Sequence, residues 1–219
     1  MTRAPYDWYR RTTWSVDDQT DFFARLKRSR TRKTEYLRLQ ALALAETRQP
    51  ELVGAALELL DLALSDQPDT FHLSMLHLQR AECLVALDRA PEAVLAFRAS
   101  LQARRELPNV INMAYLEFAW MIARLRMKGH YGEVAATFRE FAQQSDLVFP
   151  INAFRYFGAL ALIAADQGDL HSARRWAANA VASASEQRGP FARHPTFGLV
   201  DGAAVDHVAH QRLWQLAGS

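Results

Sequence analysis

The sequence predicts an all-α fold built from antiparallel helix pairs, and three observations predict it. Alanine and leucine abound while glycine and β-branched residues are scarce, which favours helix almost throughout. A helix-pair pattern recurs four times, with the small or branched residues Ala56, Ala93, Val134 and Ala173 at corresponding places, 37, 41 and 39 residues apart. Proline and glycine punctuate the pattern where helices would start and stop. A pair of this kind cannot bury its apolar face alone, so neighbouring pairs must cover one another.

The elements follow in order. Ser15-Val16-Asp17-Asp18 is an N-cap with acids in the first turn, opening a helix through Phe22, Phe23 and Leu26. A helix over about 34–47 carries Tyr36, Leu37, Leu39, Leu42 and Leu44, and Pro50 starts its partner. Segments 70–88 and 91–105 make the second pair, joined by the turn Asp88-Arg89-Ala90-Pro91-Glu92. Segments 109–128 and 131–145 make the third, and 150–167 and 169–187 the fourth. Gly129 and Gly168 are expected to close first helices, where a left-handed residue is needed, and Pro108 and Pro150 to open new ones. After Gln187-Arg188-Gly189-Pro190 comes an irregular stretch from Phe191 to Gly202, then a last helix through Val205, Val208, Leu213, Trp214 and Leu216. Three regions result: an aromatic and basic N-terminal cap over 1–33, four helix pairs over 34–187, and a C-terminal cap over 188–219.

The ending Ala56, Leu60, Ala63, Pro68 resembles the A-x3-F-x2-A-x4-P close of the tetratricopeptide repeat, with leucine for the aromatic. The second copy keeps Ala93, Phe97 and Ser100 after Ala81, Leu84 and Leu87. The third has Val134, Phe138 and Phe141; the fourth has Ala173, Ala177 and Ala180. The early tryptophan and the Leu-Gly pair of that family are missing. Over about 35–187 the resemblance implies a TPR-like α-solenoid, a right-handed superhelix with terminal caps. In that family the first helix of each pair lines a concave groove that binds peptide segments. Projecting the family's groove positions selects Arg38 and Arg48, Met75 and Glu82, Arg126, and Arg155. A groove leaning basic suits an acidic or C-terminal peptide, because an arginine holds a carboxylate through two parallel hydrogen bonds. The Lys and Asn pattern with which chaperone-binding members clamp a terminal carboxylate does not occur at these places. Tyr115 and Trp120 are read as core.

Half the residues are apolar and 23% charged, ordinary for a soluble globular chain. The formal charge of +2 is unevenly spread: residues 1–48 hold eleven Lys and Arg against six acids, whereas 49–185 hold twelve against fifteen. The basic excess centres on Arg25, Lys27, Arg28, Arg30, Arg32 and Lys33. That run either contacts phosphates or an acidic protein, or is a solvated helix end and linker. No aromatic residue interleaves with it. Trp8-Tyr9-Arg10-Arg11-Thr12-Thr13-Trp14 and the stretch Phe191 to Val200 are aromatic-rich. They are similar to the ends of an uncharacterised bacterial group of repeat proteins, which implies a bacterial origin. They pack as caps, with Trp8, Trp14 and Phe197 buried, or form an anchoring site for a partner or a second copy.

Catalysis is not expected. There is no phosphate-binding loop, dinucleotide fingerprint, HExxH or GxSxG motif. The lone Cys83 lies within an apolar helical run and reads as a packed thiol. His207 and His210 share a predicted helix beside Asp206, but nothing nearby in the sequence supplies a third metal ligand. No cofactor or metal is expected. With no stretch of 18 uncharged apolar residues and no signal-peptide core, the expected location is the cytoplasm, away from any membrane. The function expected is a non-catalytic interaction module or scaffold that holds a protein segment; a nucleic-acid-associated regulator using residues 25–33 is the alternative.

Overall fold

A computed structural model describes residues 7–66, 68–201 and 206–218. Among these residues the protein is all-helical, with ten α-helices and no strand. They are α1 (Val16–Leu26), α2 (Lys33–Ala45), α3 (Pro50–Ser65), α4 (Thr70–Ala86), α5 (Ala90–Glu106), α6 (Ala114–Arg124), α7 (Tyr131–Phe141), α8 (Pro150–Asp166), α9 (Leu170–Ala184) and α10 (His207–Gly218). Short 3-10 turns cover Lys128–His130 and Gln144–Val148. The chain forms two compact units, Met1–Ala114 and Tyr115–Ser219. No helix of the described residues is long and apolar enough to cross a membrane.

The recurrence read from the sequence is a recurrence of one turn. Arg48, Asp88, Arg126 and Gly168 follow α2, α4, α6 and α8, each with φ between 54° and 85°. At three of them the next residue's N–H reaches back five residues: Arg89 to Leu84, Met127 to Ile122 and Asp169 to Ala164, at 2.8 to 3.0 Å. This is the Schellman closure, which gives orphaned helix-end carbonyls a donor. After α2 the Gln49 N–H instead reaches the Thr47 Oγ1 at 3.3 Å. Gly168 fits the expectation. Gly129 does not: it sits inside the 3-10 turn, and Arg126 takes the left-handed position three residues earlier.

In the first unit, α2 packs on α3, α4 on α5, and α3 on α4. The alanine anchors Ala56 and Ala93 are fully buried, and Leu37, Leu44, Leu60, Leu76, Leu84 and Phe97 fill the space around them. Ser74 of α4 and Ser100 of α5 clasp one another, each hydroxyl donating to the other's carbonyl at 3.0 and 2.7 Å. Buried Asn112 donates its amide to both hydroxyls, while its Oδ1 accepts the Ala114 N–H at 3.0 Å. Its Oδ1 thus caps the first residue of α6, and the helix expected over 109–128 begins only at Ala114, so that Pro108 opens nothing.

The N-terminal segment packs on α1 and α2, although Trp8 and Trp14, expected to be buried, are only half-buried. Ser15 closes a capping box with Asp18, starting α1. Trp8 lies against Phe22 and Tyr36 with ring centroids at 5.3 and 4.9 Å, Tyr9 against Tyr36, and Trp14 against Phe22. Arg11 pins the segment: its backbone exchanges hydrogen bonds with the Gln40 side chain at 3.0 and 2.8 Å. Its guanidinium bonds Asp18 at 2.6 Å and also holds Asp21.

In the second unit, Tyr115, fully buried, stacks on Phe141 and meets Phe138 edge-on, joining α6 to α7. The α8 and α9 pair is covered by α10. Gly158 lets Trp120 and Leu213 approach, since a Cβ there would lie 2.9 and 3.2 Å from them. Pro150 does open α8. The irregular stretch before α10 is a built loop: the Gly198 carbonyl accepts the Ile151 N–H at 2.8 Å, capping α8. Gly198 has φ +79° with the Phe149 ring where a Cβ would stand. Phe149, Phe191 and Phe197 cluster, yet Phe197 stays 58% exposed, so it is a rim residue and not a buried cap.

Gly168 faces open space, so its replacement costs only conformational energy. Gly168→Ala is expected to lose about 1 kcal/mol, read as a lower denaturation midpoint in urea.

Candidate functional site

The arginines projected onto a groove fall in both units. In the second unit both are engaged. Asp166, the last residue of α8, has its side chain 1% exposed and accepts Arg126 at 3.0 and 3.1 Å, the Tyr131 hydroxyl at 2.7 Å, and Arg212 of α10. Arg126 is therefore a turn residue holding a buried carboxylate, not a groove residue on a first helix. Arg155 on α8 is paired with Glu117 of α6. Burial pushes the Glu117 carboxyl up, against the pull of Arg155 and Arg124. Arg124 in turn bonds Asp206 at 3.0 Å, and Asp206 caps α10 through the Val208 and Ala209 N–H groups. These pairs tie α6, α7, α8 and α10 together.

The electrostatics follow from that geometry. Burial alone would raise the Asp166 carboxyl, but hydrogen bonds from Tyr131, Arg212 and Arg126 outweigh it and hold the group below the usual carboxylate range. Burial and the neighbouring carboxylate push the Tyr131 phenol up to about 12. Asp206 is likewise lowered: burial opposes, while the Ala209 N–H and Arg124 prevail.

In the first unit, Arg48 occupies the left-handed turn position after α2 and is exposed, so it too leaves the first-helix face. Arg38 on α2, and Met75 and Glu82 on α4, do lie on first helices. Arg38 is half-buried, and its Nε has no hydrogen-bond partner among the described residues. Burial pulls its pKa below the usual arginine value, with Glu35 opposing and Arg10 reinforcing the shift. Buried Gln79 on α4 likewise has an Oε1 without a partner there. Met75 is half-buried and Glu82 exposed. Sequence spacing did not single out Gln79, because nothing in a helical pattern separates a buried amide with a partner from one without.

The basic run is exposed and partly neutralised. Arg25 bonds Asp21 at 3.0 Å and Arg32 lies 3.9 Å from Glu35. Lys27, Arg28, Arg30 and Lys33 carry no side-chain hydrogen bond or ion pair among the described residues. Trp8 and Tyr36 join Arg25, Arg28 and Ser29 in lining a cleft of about 310 Å³. Aromatic residues thus do accompany the basic run, brought there by the chain's return along α2. In the second unit a cleft of about 510 Å³ lies between α8, α9 and the loop at Gly189, over Pro150, Phe157, Ser183 and Arg188.

Cys83 is buried, and burial, with Glu82 and Asp61 adding to it, pushes its thiol up to about 12, the state of an inert packed sulfur. His210 stacks on Trp214 at 3.9 Å and lies near Phe154, with burial lowering its pKa. No group of three or more His, Cys, Asp or Glu positioned for a metal occurs among the described residues. Comparison with protein-family models, curated proteins and solved structures finds no match.

A carboxyl held low in the folded state contributes stability that is fully present above its unfolded value, near pH 4, and is lost as pH falls below that. His210, held low by burial, is expected to lower the denaturation midpoint as pH falls through about 6.5, and the lowered carboxyls to lower it further below about pH 4. Asp166→Asn should flatten that fall and cost about 3 kcal/mol at neutral pH, measured by urea denaturation across the pH series.

Proposed function

We propose that this protein is a non-catalytic interaction module of the TPR-like solenoid kind, a scaffold or adaptor that holds a segment of another protein against α2 and α4. The observation that carries the reading is Arg38. A half-buried guanidinium with a donor lacking any acceptor costs free energy in the unliganded protein. Arg38 also has no ion-pair partner among the described residues, so a carboxylate reaching the exposed part of its guanidinium would form a charge-assisted pair there. Gln79 lies on the neighbouring helix α4, with its Oε1 sealed from solvent and out of a ligand's reach. Met75 adds an adaptable apolar contact beside them. The occupant that matches a guanidinium without an internal partner is an acidic peptide segment. Four helix pairs closed by the same left-handed turn support the repeat reading. Location in the cytoplasm of a bacterium belongs to the same proposal.

The site shrinks relative to the one projected from the repeat. Arg126 and Arg155 belong to the internal ion pairs of the second unit, and replacing them by Glu tests stability and not binding. The proper pair of variants is Arg38→Glu and, as control, Arg30→Glu in the basic run. With a fluorescein-labelled decapeptide of alternating Glu and Ala, anisotropy is expected to show binding that Arg38→Glu weakens about tenfold or more. Arg30→Glu should change it less than about twofold. Equal losses in both variants would move binding to the basic run, and no binding to the wild type would remove the reading.

A further inference from the structure

The N-terminal cleft is a second surface, separate from Arg38 and Gln79, and its lining has a chemistry of its own. Its wall is aromatic: Trp8 and Tyr36 lie 4.9 Å apart between centroids and are tilted by 56°, both only half-buried. Its rim is cationic: Arg25 and Arg28 stand one turn apart at the end of α1, and Ser29 adds a hydroxyl. Arg25 shares its charge with Asp21, whereas Arg28 is exposed and has no partner among the described residues. Lys27, Arg30 and Lys33 belong to the same exposed basic run of the chain, in which Asp21 offsets Arg25 and Glu35 offsets Arg32. Arg10, exposed, lies 5.8 Å from the Tyr9 ring that backs Tyr36.

We propose that this cleft binds one nucleotide of a single-stranded nucleic acid, the base against Trp8 and Tyr36 and the phosphates along Arg28, Lys27 and Arg30. Stacking on an aromatic wall together with a backbone-tracking row of cations is the combination by which single strands are held without sequence readout. An acidic peptide would use the cations but would leave the wall unused. A duplex, whose bases are already stacked, has no face to offer Tyr36. The volume of about 310 Å³ leaves room for one base.

The test uses the full chain and a fluorescein-labelled twelve-residue oligothymidylate, followed by anisotropy at about 50 and 200 mM salt. For three or four phosphates contacted, affinity is expected to fall about twentyfold or more between the two salts. Tyr36→Leu, which keeps an apolar side chain but removes the stacking face, should weaken binding about tenfold. Arg28→Glu, at an exposed position, should weaken it by a similar factor. Circular dichroism melting of both variants separates lost binding from lost fold. Competition by thymidine monophosphate would identify a free nucleotide as the source of the same chemistry, and failure to compete would identify the strand. Loss with Arg28→Glu but none with Tyr36→Leu would reduce the site to a charged surface and overturn the proposal. So would an acidic decapeptide competing as well as the oligonucleotide, or no binding at about 50 mM salt.

Discussion

The Asp166 carboxylate is the constraint on which the second unit depends. It ends α8 two residues before the left-handed Gly168, with almost no exposure, so it must be met by donors from other elements. Arg126 arrives from the turn after α6, Tyr131 from the start of α7, and Arg212 from α10. A buried charge with one partner removed is strongly destabilising, whereas a fully bonded one fixes the positions of everything that bonds it. The cluster therefore sets where the third and fourth pairs and the final helix meet. The first unit has an uncharged counterpart in Ser74, Ser100 and Asn112, where each hydroxyl and amide answers another across α4, α5 and the approach to α6.

That network decides which polar groups find a partner inside the fold. Both projected arginines of the second unit are bound to buried acids, and the N-terminal Arg11 is bound to Asp18 and Asp21. In the first unit the buried polar network closes on itself without using Arg38 or Gln79. A polar group that the fold buries and does not pair is costly unless a ligand or water completes it. In this protein those groups lie on α2 and α4.

Much of the fold was legible in the sequence. The all-helical class, the cap at Ser15, the helix starts at Pro50 and Pro150 and the buried anchors Ala56, Ala93, Val134 and Ala173 all follow from local chemistry acting within a turn or two. What was not legible depends on distant partners. Arg126 holds a left-handed conformation that glycine would adopt more easily, because its guanidinium is needed at Asp166, forty residues away. Gly129, the residue a local rule selects, stands aside. Asn112 displaced the start of α6 through bonds to serines on two other helices. The ion pairs of Arg126 and Arg155 were hidden for the same reason: register places an arginine on a helix, but only the fold says whether an acid faces it.

The aromatic segments make the complementary point about caps. An end segment that packs must cover the terminal apolar face, and Trp8, Tyr9 and Trp14 do so against Phe22 and Tyr36. Covering a face with large rings leaves their other sides toward solvent, since Trp8, Tyr9, Trp14 and Tyr36 are all only half-buried. Packing at this end of the chain thus does not use up the faces of the rings. The rings that complete the core of the first unit also form the wall beside Arg28, and a cap built from leucines would have closed the core without producing that wall.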